Sequence, residues 1–323
     1  MGVEFSLVEI GGHTPPGSRE TTVTKVVPLV SVVIPTHERA QLLKRAISSV
    51  LAQTYSRLEI IVVDDASRDN TREVVESFGD SRIRYFQHQT NKGGSAARNT
   101  GIRNATGEFI AFLDDDDEWE PEKTEEQIKV LQDCDVVLCA STEPGSSLHE
   151  GQSKETVDPE DLRRGKFTGG GTGVLMAKGN VLKETMFDES LPRYQDWDFF
   201  IRIALKHKIV YLNKALVRYN AGTHRRITNS ILDISASELE QQFRMVHKHR
   251  QFFGRRLFKR HMCRSLLYGI KHRRDKVALL AFTARRYGAM NVACLLVERV
   301  AIKLRDSFPR VASTETKRRG SQP

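Results

Sequence analysis

From Pro28 onward the chain alternates between two apolar patterns. Short, almost wholly apolar runs recur as "LVSVVIP" (29–35), "LEIIVVDD" (58–65), "RIRYFQ" (82–87), "GEFIAFL" (107–113) and "CDVVLCAS" (134–141). Their length and Val/Ile content predict strands buried on both faces. Between them apolar residues fall at helical spacing. "RAQLLKRAISSVLAQT" carries Leu42, Ala46, Ile47, Val50 and Leu51, and "RDNTREVVESF", "SAARNTGIRNA" and "PEKTEEQIKVLQ" follow in the same way. The last has Pro at its start, where a missing N–H is harmless. Strands alternating with helices predict an α/β domain with a mostly parallel sheet flanked by helices. Further on, 142–168 reads as a polar loop, "GGGTGVLMA" as a loop entering a strand, and "DWDFFIRIALKH" as a helix. "KIVYLNKALVRYN" alternates weakly, as strands do, and 236–305 is helical by pattern. The expected organisation is a flexible lead over 1–27, one α/β domain over 28–235, a basic helical extension over 236–310 and a disordered tail over 311–323.

In parallel sheets ligands bind beyond the carboxyl ends of the strands. There the chain concentrates its polar residues: "PTHER" after the first strand, "DDAS" after the second, "DDDD" after the fourth. Asp114 to Asp117 offer hard oxygen ligands of the kind that Mg²⁺ and Mn²⁺ take, often shared with substrate phosphates. At a strand-end turn alternate residues point differently, so Asp114 and Asp116 are expected to diverge from Asp115. No full carboxylate cage is apparent, which leaves coordination positions for a diphosphate. Asp69 and Asn70 suit local caps, freeing Asp65 to accept from a base N–H or a ribose hydroxyl. "PTHERA" is not a glycine-rich turn, which excludes a Rossmann dinucleotide site, and the absence of GxxxxGK[ST] excludes a P-loop. The "GGGTG" at 169–173 allows backbone to approach backbone or ligand. His37, His88 and His207 show no metal-ligand spacing and read as structural or exposed.

Charge divides the chain. From Arg244 to the end there are 21 Lys or Arg against 4 Asp or Glu, whereas the formal total is only +9. The first 243 residues are therefore acidic, and the two regions are expected to meet different partners. Cys134, Cys139, Cys263 and Cys294 form no CxxC and suggest neither zinc nor a disulfide framework. No apolar leader and no run of 18 apolar residues occurs, so the expectation is a cytoplasmic protein, peripheral at the membrane's cytoplasmic face if it meets one. In the basic region Phe258, Met262, Leu266 and Ile270 fall four apart. Either this face packs within the protein, or the basic helices lie on anionic lipid; no aromatic–basic motif points to nucleic acid.

The order "VSVVIPTHERAQLLKRAISSVLAQT", "LEIIVVDDAS", "NKGGSAARNTGIRNATGEFIAFLDDDD", "FDESLPRYQDWDFFIRIA" resembles the family 2 glycosyltransferases of the GT-A fold over about residues 29–222. The resemblance implies an inverting transferase with a nucleotide-diphosphate sugar donor, Mn²⁺ or Mg²⁺, and a glycan or lipid-linked acceptor. By position it assigns Pro35, Thr36 and Glu38 to the loop bordering the nucleoside and Asp65 to the base. Gly93, Gly94 and Arg98 fall in the segment lining the nucleotide pocket. Asp114 and Asp116 match the DxD pair, with Asp116 the direct metal ligand and Asp115 part of the donor site. Asp196 falls at the general base, where the family's Glu-Asp is Gln195–Asp196 here; Asp198 is the fallback. His224, Arg225 and Arg226 stay outside this assignment, as diphosphate contact and surface loop are equal alternatives. The runner-up functions are a sugar-1-phosphate nucleotidyltransferase, which would want a Gly-rich, Arg/Lys-bearing loop after the first strand, and a non-catalytic nucleotide-sugar-binding protein.

Overall fold

The computed structural model describes residues 27–142, 154–165, 171–220 and 234–307. His224, Arg225, Arg226 and the two termini lie outside them. Two compact units divide the chain, Met1–Arg225 and Arg226–Pro323.

In the first unit β1 (Val30–Thr36), β2 (Leu58–Asp64) and β4 (Phe109–Phe112) are buried at every position. That is why their sequences are apolar throughout rather than alternating. β1 pairs in parallel with both β2 and β4, and β2 with β3 (Ile83–Gln87). The helices α1 (Ala40–Leu51), α2 (Thr71–Glu76) and α3 (Gly94–Asn104) link these strands. Parallel pairing brings the carboxyl ends together: Thr36 of β1 lies opposite Asp64 of β2.

The rest of the sheet is mixed. β5 (Glu118–Trp119) and α4 (Lys123–Leu131) precede β6 (Val136–Ser141). β7 (Lys154–Thr156) and α5 (Pro159–Arg164) fall within the stretch read as a polar loop. β8 (Leu175–Lys178) runs antiparallel between β4 and β6. After α6 (Gly179–Thr185) and α7 (Gln195–Ala204), β9 (Ile209–Arg218) pairs in parallel with β6 and antiparallel with β5 and β7. The strand order is β3-β2-β1-β4-β8-β6-β9-β5, with β7 on β9.

The second unit is helical: α8 (Ala236–Gln242), α9 (Arg244–Lys248), α10 (Arg250–Leu266), α11 (Lys276–Tyr287) and α12 (Ala289–Ser307). Ser235 and Glu238 close a capping box at the start of α8. The continuous helical pattern is broken at Gly254, where φ is 68°, and at a 3₁₀ turn over 270–272. Phe258, Met262 and Leu266 are buried as one face of α10, while Ile270 falls in that turn. Among the described residues no helix is long and apolar enough to cross a membrane.

Candidate active site

The four aspartates after β4 alternate in exposure. Asp114 and Asp116 are partly exposed, while Asp115 and Asp117 are buried. A turn closed by the Asp117 N–H donating to the Asp114 carbonyl (3.1 Å) sends their side chains to different partners. Asp115 accepts from Thr36 Oγ1 at 2.9 Å and from the Arg39 guanidinium at 3.0 Å. Arg39 also reaches Asp116 Oδ2 at 3.3 Å. Asp117 accepts from the Asn220 backbone N–H at 3.0 Å. Asp114 pairs with Arg98. The end of β1 thus holds the inward acid, and α3 reaches the first outward one. Burial pushes the Asp115 carboxyl up to about 6, against the opposing pull of Arg39 and Thr36.

α3 begins at a glycine pair whose chemistry is steric. Gly93 has φ 88°, a conformation that side chains avoid, and a Cβ at Gly94 would lie 2.9 Å from the Arg98 guanidinium. Asp65 holds this entry. Its carboxylate accepts from the N–H groups of Lys92 (2.8 Å) and Gly93 (2.6 Å) and from His88 Nδ1 at 2.7 Å. A carboxylate only accepts here, so Nδ1 carries a proton, and Nε2 shares a hydrogen bond with the Thr100 hydroxyl at 3.0 Å. His88 is structural, one of the two readings open for it. Asp69 caps as expected: it accepts from the Thr71 N–H (3.2 Å) and also from the Ala40 N–H that opens α1 (3.2 Å). Asn70 makes no side-chain cap.

One turn further along α3, buried Asn99 grips the segment that leads to α7. Its amide donates to the Phe187 carbonyl (3.0 Å) and to Glu189 (2.7 Å), and it accepts from the Phe187 N–H (2.7 Å). Phe187 stacks on Phe199 of α7 at 3.9 Å, and both meet Phe112 of β4 edge-on. Tyr194, in the left-handed region with φ 57°, then turns the chain into Gln195 and Asp196. Asp196 accepts from the Trp197 N–H at 2.8 Å. Its surroundings desolvate it and raise its carboxyl above the ordinary range; Arg98 pulls it down and Asp114 pushes it up. Asp196 therefore lies within electrostatic reach of both members of the Arg98–Asp114 pair. Asp198 is fully buried, and Arg202 binds it at 2.8 Å while also donating to the carbonyls of Thr185 and Met186. That ties Asp198 to the corner between α6 and α7.

Gly171 and Thr172 complete the wall around Asp114. A Cβ on Gly171 would stand 3.7 Å from Asp114 Oδ2, and the Thr172 hydroxyl lies 3.5 Å from Oδ1. The glycine run thus brings backbone beside an acid. Beyond the ends of β1, β2 and β3 a cavity of about 580 Å³ opens, lined by His37, Glu38, Ser67, Gln87, His88 and Asn91 among others. Of the residues assigned to donor binding only Glu38 lines it; Asp65 sits behind its wall, engaged with the 88–93 loop. Pro35 and Thr36 end β1, with Thr36 facing Asp115. Two buried donors, Ser95 Oγ and Arg98 Nε, have no hydrogen-bond partner. Sequence reasoning missed Arg39, Thr172 and Asn99. Only Arg39 left a signal, as the sole arginine or lysine in the polar stretch after β1.

Among the described residues no group of three or more His, Cys, Asp or Glu could hold a metal by itself. Asp114 and Asp116 supply hard oxygen donors on the exposed side of the turn, which fits Mn²⁺ or Mg²⁺ as a shared site completed by ligand phosphates and not as a closed protein cage.

An acidic strand-end turn, a helix N-terminus beside it and a second acid delivered from a late helix define a nucleotide-sugar transferase fold of the GT-A class. The chain belongs to glycosyl transferase family 2: residues 31–190 match the family model. An uncharacterized glycosyltransferase of Rickettsia typhi is 32% identical over 224 residues, covering 65% of this chain and 70% of its own length. The UDP-Glc:alpha-D-GlcNAc-diphosphoundecaprenol beta-1,3-glucosyltransferase WfgD of Escherichia coli is 47% identical over 103 residues, 32% of this chain and 41% of that protein. Several relatives are longer; the chain spans about a third of one from Rickettsia felis. Among solved structures, S. aureus TarS 1-349 in complex with UDP-GlcNAc superposes with a TM-score of 0.57 at 20% identity, over 82% of this chain and 89% of that one. The mannosyltransferase PcManGT of Pyrobaculum calidifontis with GDP-Man and Mn²⁺ gives 0.55 at 20% identity, over 86% and 81%. These two likenesses establish the fold.

Proposed function

We propose that this enzyme is an inverting transferase that moves a sugar from a nucleoside-diphosphate sugar to an acceptor hydroxyl. What supports the reading is the tie from α3, which carries Arg98, through Asn99 to the 187–189 segment ahead of α7, which carries Asp196, together with the opposite pulls of Arg98 and Asp114 on the Asp196 carboxyl. Asp196 takes the proton from the acceptor hydroxyl, and a positioned base contributes about 10²–10⁴ in rate. The freed oxygen attacks the anomeric carbon on the face opposite the nucleoside diphosphate, which departs with the bonding pair. A carboxylate in a desolvated setting has its basicity raised, which suits it to that role. Arg98, Ser95 and the first N–H groups of α3 supply donors for the diphosphate. A divalent ion on Asp114 and Asp116, when bound, would offset charge on the leaving group. Glu38, Gln87 and Asn91 give the cavity acceptors and donors for a base and ribose.

WfgD takes UDP-Glc and acts on a diphosphoundecaprenol-linked sugar, and the two structural neighbours hold UDP-GlcNAc and GDP-Man. A glycan or lipid-linked acceptor at the cytoplasmic face of a membrane fits that company. The test is a panel of nucleotide sugars scored by Mn²⁺-dependent thermal stabilisation, then transfer by the wild type and Asp196→Asn with the donor that stabilises most. Asp196→Asn keeps the stabilisation and loses transfer by at least about 10². Near-normal turnover in that variant removes Asp196 as the base.

A further inference from the structure

The last helix of the second unit is apolar over 289–301 on its exposed face as well as on its buried one. Over 289–301 of α12 every exposed residue is apolar: Met290, Cys294, Leu296, Val297, Val300 and three alanines. Met290, Val297 and Val300 are 75%, 68% and 59% exposed. Val292 and Leu295 are its buried positions, and its polar residues lie half-buried between the two faces, each with a partner. Arg299 donates to the Leu267 carbonyl at 3.0 Å, Glu298 pairs with Arg260 at 2.6 Å, and Asn291 donates to the Tyr287 carbonyl at 2.7 Å. A surface helix ordinarily turns polar residues outward, and an apolar stripe of this length calls for a cover.

Charge selects the cover. Between Arg244 and Ala301 the sequence has only two acids, Asp275 and Glu298. Both are held in ion pairs, with Arg273 at 2.7 Å and Arg260 at 2.6 Å. Arg255, Arg256, Arg264, Arg274, Lys276 and Arg285 stand exposed on the same unit. A second copy of this chain would set this basic surface against itself. An anionic bilayer offers both things the unit lacks, an apolar interior for the stripe and negative headgroups for the cations. We infer that the α10–α12 unit docks on anionic lipid, with α12 lying in the membrane interface along its Met290–Val300 stripe. The proposed lipid-linked acceptor explains why such docking would serve the enzyme, but the stripe and the charge call for it without that acceptor.

The experiment uses the full chain and vesicles of phosphatidylcholine with and without phosphatidylglycerol. Cys294 is exposed on the stripe while Cys134, Cys139 and Cys263 are buried, so an environment-sensitive thiol dye labels this face. Wild-type protein floats with the anionic vesicles, the dye shifts to the blue, and neutral vesicles give neither result. Val297→Glu, at a position exposed enough to leave the fold intact, weakens partitioning by about tenfold. Arg255→Glu with Arg256→Glu weakens it by at least about fivefold for each charge removed, and salt reproduces the loss. No flotation by the wild type, flotation unaffected by Val297→Glu, or a concentration-dependent dimer that Val297→Glu dissociates while vesicles are ignored would each overturn the proposal. Thermal stabilisation by nucleotide sugar on the same samples reports the transferase reading separately. Docking without donor binding sinks that reading alone, and donor binding without docking sinks this one alone.

Discussion

Asp115 is a buried acid held against its own electrostatics, and replacing it with asparagine makes a measurable statement about the turn. In the folded protein its carboxyl is raised from 3.8 to about 6, chiefly by burial. Between about pH 4 and pH 6 the folded state therefore binds a proton that the unfolded chain has already released. Stability contributed by the protonated form is fully present below the unfolded value and is lost as pH rises through the folded one. At about 1.4 kcal/mol for each tenfold change in proton affinity, that rise gives roughly 3 kcal/mol of destabilisation at neutral pH. Asparagine at this position is a neutral surrogate of nearly the same shape. Its amide oxygen can accept from Arg39 and its amide nitrogen can donate to the Thr36 hydroxyl, so neither partner is stranded. Asp115→Asn should match the wild type in stability at pH 4 and exceed it by about 3 kcal/mol at pH 7. For a unit of this size that is a Tm gap of roughly 6–12 °C. Thermal melts of both proteins from pH 4 to 8 test this, and the difference between them cancels every other titrating group. A gap independent of pH would refute the assignment of Asp115 as the strained acid. Donor affinity should change little, because this carboxylate faces Thr36 and Arg39.

Three further outcomes are expected. Arg98→Gln removes the cation that pulls the Asp196 carboxyl down, so the acidic limb of the pH–rate profile should move to higher pH; an unmoved limb in the residual activity would separate the two residues. Asn99→Ala strands the Phe187 N–H and carbonyl, costing about 1–3 kcal/mol; kcat should fall more than donor affinity in steady-state kinetics, since the segment carrying Asp196 loosens. Ala66 sits in the left-handed region at φ 66°; Ala66→Gly should stabilise by about 0.5–1 kcal/mol, the relief of strain less the added freedom of the unfolded chain, read as a small rise in Tm.

The parallel half of the sheet was legible because burial on both faces forces unbroken apolar runs, and those runs are long in β1, β2 and β6. β5 and β7 were not, at two and three residues, since no period can be read from so few positions. α5 is a different case. Its signals were all present, with Asp158 capping, Pro159 in the first turn and Gly165 in the left-handed cap, but its six residues bury only Leu162 and show no apolar face. At the site, sequence separated Asp114 and Asp116 from Asp115 by the alternation of a strand-end turn, and their exposure follows that division. Asp65 shows the limit. Its hold on the 88–93 loop through Lys92, Gly93 and His88 could not be read from a strand-end acid, because only the folded chain brings those groups to it.

Four adjacent carboxylates are tolerable only if the turn gives each a partner, and here Arg39 serves two of them. At an effective dielectric of 20 two charges 4 Å apart repel by about 4 kcal/mol, so an unassisted run would cost more than any surface turn returns. Here Asp115 and Asp117 are anchored inward by Thr36, Arg39 and the Asn220 N–H, which fixes the backbone. That anchoring leaves Asp114 and Asp116 on the exposed side, each against an arginine. Those two ion pairs are exchangeable in a way the inward contacts are not. Under the proposed function a phosphate-bearing ligand would compete for Arg98, while Arg39 keeps its bond to Asp115, and a divalent cation on Asp114 and Asp116 would offset the charge those acids lose contact with. If the proposed donor binds here, the run is one device: two acids hold the turn so that two others can change partners.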